Sequence, residues 1–207
     1  MPSSQGRRSQ AERVRQSEDA LYEATIKLIA RLGPSRLTVA EIGKEAGLSP
    51  AQVTHRFGSK DQLLHATARK IMELLISELV HPDVKPGREL RTLETKGEIY
   101  LNEVVARTDL VLAQSRLIVE SQSSYPELQK IVRDLNRQAK ELTINVLAPL
   151  QKRGEIRPDF DLESFAVMYI GMMRGVASQY LVEHKDIDLD RVHALIKSTC
   201  RRVLLSK

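Results

Sequence analysis

The stretch GLSPAQVTHRFGSK, residues 47–60, holds two helix-start signatures ten positions apart. Ser49-Pro50-Ala51-Gln52 and Ser59-Lys60-Asp61-Gln62 both read S-x-x-Q. In that pattern the serine oxygen accepts from the third backbone N–H and the glutamine reaches back to the serine's own N–H. Pro50 suits the first helical position, where its missing N–H is harmless. The helix between the two starts has room for about two turns, although an isolated helix shorter than about 12 residues is marginal in water. A chain that starts a helix firmly, stops it at once and starts another needs that short helix for something other than length.

Working outward, nearly every segment has helical periodicity punctuated by Gly and Pro, and no strand-like alternation competes with it. A first helix is expected over residues 11–32, with Val14, Leu21, Thr25, Leu28 and Leu32 along one face. Gly33 should end it in a left-handed conformation, and Pro34 blocks continuation. A second begins at the capping box Thr38-Val39-Ala40-Glu41, faces Ile42 and Ala46 inward, and ends at Gly47. The short helix follows, and a long one starts at Ser59 carrying Leu63, Leu64, Ala68, Ile71, Leu75 and Leu79. After the break HPDVKPG, residues 81–87, helices are expected over 88–107, 109–122, 126–153, 161–183 and 189–205. Ser124 should open the third of these, Pro149 should kink it, and Asp161 should cap the next.

The chain has 207 residues and a net charge of +5, located almost wholly at one end. Residues 1–70 hold twelve Lys/Arg against seven Asp/Glu, whereas residues 71–207 hold twenty of each. A polyanionic partner would therefore meet the first third of the chain. A single cysteine, Cys200, excludes an internal disulfide framework and favours a reducing, cytoplasmic setting. The longest apolar run, residues 164–173, is too short to span a bilayer, so no membrane partner is expected. The first ten residues lack the apolar core of a secretory signal.

A helix, a tight turn at glycine and a short, firmly capped helix form the layout of a helix-turn-helix, whose second helix enters the major groove of DNA and meets base edges with its N-terminal residues. Leu48, Val53 and Phe57 should tie the short helix to those beneath. Gln52 can meet an adenine edge bidentately, Thr54 can bond or touch a thymine methyl, and Ala51 offers an apolar contact. Ser49 and Pro50 fix where the first turn lies. His55, Arg56 and Lys60 are donors suited to phosphates, and the N–H groups at Thr38 favour one as well. Arg7, Arg8, Arg13 and Arg15 make the N-terminal arm a second candidate for the backbone or minor groove.

TVAEIGKEAGLSPAQVTHRFGSKDQLL, with the preceding LYEATIKLIARLG, resembles the N-terminal domain of TetR-type transcriptional regulators. The matching positions are Gly33, Ile42, Ala46-Gly47-Leu48-Ser49, Phe57, Ser59-Lys60 and Leu63-Leu64, and the likeness covers residues 15–76. KRGEIRPDFDLESFA, residues 152–166, is also typical. The resemblance implies an all-α homodimer whose C-terminal domain binds a small-molecule effector that alters DNA binding. Thr54 and His55 stand where the family usually has two adjacent aromatics, and Pro50 and Ala51 where lysine or glycine is common. A distinct base preference is therefore expected.

The expected organisation is a basic arm over residues 1–10, a DNA-binding domain over 11–76 with its helix-turn-helix at about 38–57, and a helical effector-binding and dimerisation domain over 77–207. The 161–183 helix is apolar on more than one face. Phe165, Met168, Met172, Val176 and Tyr180 form a stripe beyond what one core needs, with Gly175 and Gly171 allowing close helix approach. Leu195, Ile196, Thr199 and Val203 extend it on the last helix, as in a four-helix dimer interface. The 109–122 helix is apolar almost all round and so should be buried, and Gln114, Arg116 and Glu120 on it then need partners. They either satisfy one another or line an effector pocket with Tyr100, Tyr125 and Asn136.

Catalytic motifs are lacking: there is no G-x-S-x-G, no glycine-rich phosphate loop and no i, i+4 histidine pair. Cys200, on an apolar helix, reads as a small core residue. No cofactor or metal is expected. The leading expectation is a repressor released from a palindromic double-stranded operator by a small molecule; its rival is a DNA-bound adaptor that recruits a protein.

Overall fold

Leu21, Leu28 and Ile29 are buried along one side of the first helix, and the DNA-proximal part of the molecule is assembled around that row. The structure, a computed structural model, describes residues 10–77, 86–123 and 125–205. Leu79, most of the 81–87 break, Ser124, Arg7 and Arg8 lie outside the described residues. Nine α-helices are found among those described, with no strand: α1 Gln10–Leu32, α2 Val39–Ala46, α3 Pro50–Phe57, α4 Lys60–Ser77, α5 Glu89–Ala106, α6 Thr108–Glu120, α7 Pro126–Lys152, α8 Leu162–Glu183 and α9 Leu189–Leu205. These match the expected helices to within two residues wherever both ends are described.

Two details differ from expectation. Val14 is 39% exposed, and the buried face of α1 starts only at Leu21. Gly33 has the positive φ of 83° that glycine permits, but its ψ of 157° is extended. It therefore turns the chain into a single 3-10 turn, Pro34–Arg36, rather than closing the helix left-handedly. Helix α7 contains Pro149 and continues to Lys152, one residue short of the end expected for it.

Helices α1 to α4, taken as the first unit, add Ile42, Val53, Leu63, Leu64 and Ile71 to the α1 row, in a core continuous with that of the later helices. Gly47 ends α2 in the left-handed conformation (φ 69°, ψ 29°) and sends its N–H back to the last turn. Helices α5 to α9 form the second unit. Asp161 caps α8: its carboxylate accepts from the Ser164 N–H at 3.0 Å and from the Ser164 hydroxyl at 2.6 Å.

Two helices belong to both units. Helix α4 packs on α1 and α3 at one side and on α6 and α7 at the other. Helix α6 lies against α1 and the 3-10 turn while also touching α4, α5, α7 and α8. It is less enclosed than its composition suggests: Leu110, Val111, Ala113, Gln114 and Leu117 are buried, but Val119 is 64% exposed.

Candidate functional site

Two of the three capping boxes read from the sequence close fully around the turn. At the start of α2 the Thr38 oxygen accepts from the Glu41 N–H at 3.2 Å, and the Glu41 carboxylate accepts from the Thr38 N–H at 3.0 Å and hydroxyl at 2.7 Å. A carboxylate thus already occupies the positive end of α2, and a phosphate near Thr38 would compete with it. At the start of α3 the Ser49 oxygen accepts from the Gln52 N–H at 3.3 Å, and Gln52 Oε1 accepts from the Ser49 N–H at 2.8 Å. The third start is only half a box. Ser59 accepts from the Gln62 N–H at 3.1 Å, but its own N–H goes to the Phe57 carbonyl at 2.9 Å.

The eight residues of α3 divide cleanly by face. Val53 is 2% exposed and points into the first unit, and Phe57 packs edge-on against the Tyr22 ring with centroids 5.5 Å apart. Pro50, Ala51, Gln52, Thr54 and His55 are exposed on the opposite face. Ser49 is exposed at its head, and Lys60, the first residue of α4, is half-buried beside it. The capped first turn therefore presents Ala51, Gln52 and Thr54 to solvent from a helix that cannot rotate on its bed.

Two residues depart from the roles expected of them. Gln52 has its Oε1 engaged in the cap, leaving the amide nitrogen as its free donor. Arg56, expected among the phosphate donors, turns back instead: its guanidinium donates to the Val14 carbonyl at 2.8 Å and lies 3.5 Å from the Glu18 carboxylate. It ties α3 to α1. Gly43 is a positioning residue that the sequence reading passed over. A Cβ there would meet the Leu48 carbonyl at 2.7 Å, so only glycine lets α2 and α3 come this close. A glycine inside a short helix was its one signal.

In the second unit a cavity of about 80 Å³ opens among α4, α5, α6, α7 and α8. Tyr100 and Gln114 line it, as expected, and the Tyr100 hydroxyl donates to Gln114 Oε1 at 3.2 Å. Burial pushes the Tyr100 phenol up to about 12. Asn136 stands behind the wall, accepting from Arg174 at 2.7 Å. Arg116, Glu120 and Tyr125 do not line the cavity. Arg116 reaches toward Gly33 at the joint between the two units, and no ion pair joins it to Glu120 among the described residues. Lys96, Tyr169 and Arg174 line the cavity without having been anticipated. The signal for Arg174 was an arginine midway along an otherwise apolar helix.

The expected dimer face also divides. Phe165 and Ile196 are buried within the protomer, Phe165 stacked on Tyr169 and tilted against Phe160, and so belong to the core rather than to an interface. Met168, Thr199 and Val203 are exposed, Leu195 is 67% exposed, and Met172, Gly175, Val176 and Tyr180 are half-buried. Val182, 79% exposed at the end of α8, continues this surface and was not anticipated.

Cys200 is buried, with burial and the nearby Glu94 carboxylate pushing its thiol up to about 11. A thiol so protonated is a core residue rather than a nucleophile. Among the described residues no cluster of His, Cys, Asp and Glu could hold a metal ion, and no helix is long and apolar enough to cross a membrane.

Comparison with known proteins gives a consistent set of matches. Residues 21–67 fit the family model "Bacterial regulatory proteins, tetR family", and residues 101–205 fit "BetI-type transcriptional repressor, C-terminal". The HTH-type transcriptional regulator BetI of Rhizobium meliloti is 43% identical over 61 residues, which is 30% of each chain. The chain thus spans under a third of the length of the curated relatives it matches. In fold it is similar to a transcriptional regulator from Saccharomonospora viridis in complex with choline (TM-score 0.78, 20% identity, 96% of this chain and 100% of that one). A transcriptional regulator from Pseudomonas aeruginosa is comparably similar (TM-score 0.78, 20% identity, 97% and 94%).

Proposed function

Because the chain belongs to the TetR family of bacterial regulatory proteins, we propose that it is a homodimeric repressor that binds a palindromic operator through α3 and leaves it on binding a small molecule. The family is one of transcriptional regulators, and the enzyme reading falls away with that membership. One observation carries the proposal: α3 is capped at its head, anchored by Val53, Phe57 and Arg56, and bare on the face that holds Ala51, Gln52, Thr54 and His55. A helix built to enter a groove needs a fixed first turn and an unobstructed outer face.

In this mechanism Gln52 and Thr54 meet base edges from the first turns of α3. Lys60 and His55 contact phosphates; a phosphate at the α2 start near Thr38 binds only by displacing the Glu41 carboxylate from the cap. Two copies of α3 address successive turns of the duplex, joined through Met168, Met172, Gly175, Val176 and Tyr180 of α8 and Leu195, Thr199 and Val203 of α9. Met72 and Leu75 of the cavity wall lie on α4, the helix that begins at Lys60; Gln114 lies on α6, which packs against α1. A ligand that moves these walls would move the bed of α3. A cavity so connected supports effector release over an adaptor that only recruits a protein. Choline, held by one structural neighbour, makes a small organic effector reasonable here too. A regulator of this kind acts in the cytoplasm, alongside the DNA it reads.

Selection of bound duplexes from a random pool by the purified protein tests the proposal. The expected result is a palindrome whose half-sites lie one or more helical turns apart. Failure to enrich any duplex at low ionic strength would overturn it.

A further inference from the structure

The walls of the cavity contain two cations and no carboxylate. The neutral polar groups around it already have partners for their protons. The Tyr100 hydroxyl donates to Gln114, the Gln114 amide to the Met72 sulfur at 3.6 Å, the Tyr169 hydroxyl to the Leu93 carbonyl at 2.8 Å, and the Thr143 hydroxyl to the Ala139 carbonyl at 3.0 Å. Lys96 is different. It is 8% exposed and makes no hydrogen bond or ion pair among the described residues. Arg174 donates only to Asn136, leaving most of its five N–H groups without an acceptor, and it too has no carboxylate among the described residues.

Lys96 is buried and Arg174 half-buried, neither has a counter-charge beside it among the described residues, and desolvation lowers the pKa of both groups. The rest of the lining is hydrocarbon and thioether: Met72, Leu75, Leu142, Ile170 and Met173. What the site lacks is therefore an acceptor with negative charge attached to an apolar body.

We propose that the cavity takes an organic monocarboxylate, its carboxylate held by Arg174 and Lys96 and its hydrocarbon body lying on Met72, Leu75, Leu142 and Met173. The proposal rests on the effector role given to the cavity above. A guanidinium already oriented by Asn136 offers a planar donor pair that matches a carboxylate bidentately. A quaternary ammonium would meet two like charges in a low-dielectric site, and a neutral ligand would leave both cations uncompensated.

The experiment compares three matched series on the full-length protein by calorimetry: the straight-chain carboxylates from butanoate to decanoate, the corresponding alcohols, and the corresponding alkyltrimethylammonium ions. Carboxylates are expected to bind more tightly as the chain lengthens until the cavity is full, with the alcohol and ammonium members at least tenfold weaker. Arg174→Gln should weaken carboxylate binding at least tenfold, and Arg174→Lys should restore part of it. If Arg174→Gln fails to fold, Lys96→Met is judged by the same tenfold criterion. The proposal is overturned if no carboxylate binds, if the ammonium series binds as well as or better than the carboxylates, or if a folded charge-removing variant keeps its carboxylate affinity.

Release of a selected operator duplex, measured in parallel, separates this inference from the one beneath it. An ammonium ion that binds and releases DNA would sink the anion preference and keep the effector role. A carboxylate that binds without disturbing the DNA complex would do the reverse.

Discussion

Arg56 in the last turn of α3 donates to the main-chain oxygen of Val14 in α1, 2.8 Å away across 42 positions of sequence, with Glu18 3.5 Å from the same guanidinium nitrogen. A cation placed beside the expected DNA-reading face thus serves the protein's own geometry. The buried face of α1 starts only at Leu21, so this polar contact ties α3 to α1 beyond that face.

Removing that tie and removing a phosphate contact should look different. Arg56→Ala is expected to destabilise the protein by about 1 kcal/mol, since the pair is partly exposed. It should lower DNA affinity while leaving the salt dependence unchanged. Lys60→Ala should leave stability nearly intact and make the salt dependence shallower by about one phosphate's worth. Thermal melts with binding isotherms at several salt concentrations check both; a shallower slope for Arg56→Ala would return that residue to the backbone contacts.

Gln52 has two tasks that its single carboxamide must share. Its Oε1 completes the cap, whereas bidentate contact with adenine needs that oxygen to accept and the amide nitrogen to donate. Gln52→Glu preserves the capping oxygen and deletes the donor, so it should keep the stability of the parent while changing preference at one base step. Gln52→Ala loses both, with a stability loss of about 0.5–1 kcal/mol and a relaxed preference worth about 1–3 kcal/mol at that step. Site selection with both variants is the check, and an unchanged consensus would remove Gln52 as a reader.

Local chemistry explains what was legible in the sequence. Thr38, Ser49 and Asp161 announce helix starts because a cap is a contact between residues three apart, and Gly47 announces a stop because its φ is special. The burial of α4 followed from the spacing of Leu63, Leu64, Ala68, Ile71 and Leu75. Contacts between distant segments were not legible. Nothing near Arg56 in sequence points to Val14, and nothing near Tyr100 points to Arg174. Phe165 and Ile196 were assigned to the dimer face because periodicity marks an apolar stripe without saying which neighbour covers it. Here α8 lies against α5, α6 and α7, and those helices take the part of the stripe that holds Phe165.

Gly43 sets the distance between the two helices of the turn. Replacing it with alanine puts a methyl 2.7 Å from the Leu48 carbonyl and 3.4 Å from the Val53 side chain, with backbone on the near side. The gain in helix propensity, about 1 kcal/mol, is outweighed by overpacking of about 1–3 kcal/mol and by displacement of α3. Gly43→Ala should therefore melt lower and bind every duplex more weakly. A variant that melts higher and binds normally would show that the turn can relax without moving its reading face.

Gly171 and Gly175 lie one turn apart on α8, and a Cβ at either would meet nothing within 4 Å in the protomer. Among the described residues no packing within the protomer requires glycine there, and in a helix interior glycine is disfavoured by about 1 kcal/mol relative to alanine. A second copy of α8 approaching closely across a two-fold axis would supply the missing reason. Gly175→Leu then separates two contributions. In the isolated protomer it should preserve or raise helicity, because glycine is the poorer helix former and nothing lies within 4 Å of the added Cβ. In the dimer it should force the helices apart and raise the dissociation constant at least tenfold, about 1.4 kcal/mol. Sedimentation equilibrium with circular dichroism measures both, and DNA binding should fall with dimerisation, since one short helix reads too few bases alone. An unchanged dissociation constant would move the interface away from this turn of α8 and leave Leu195 on α9 and Val182 at the end of α8 to define it.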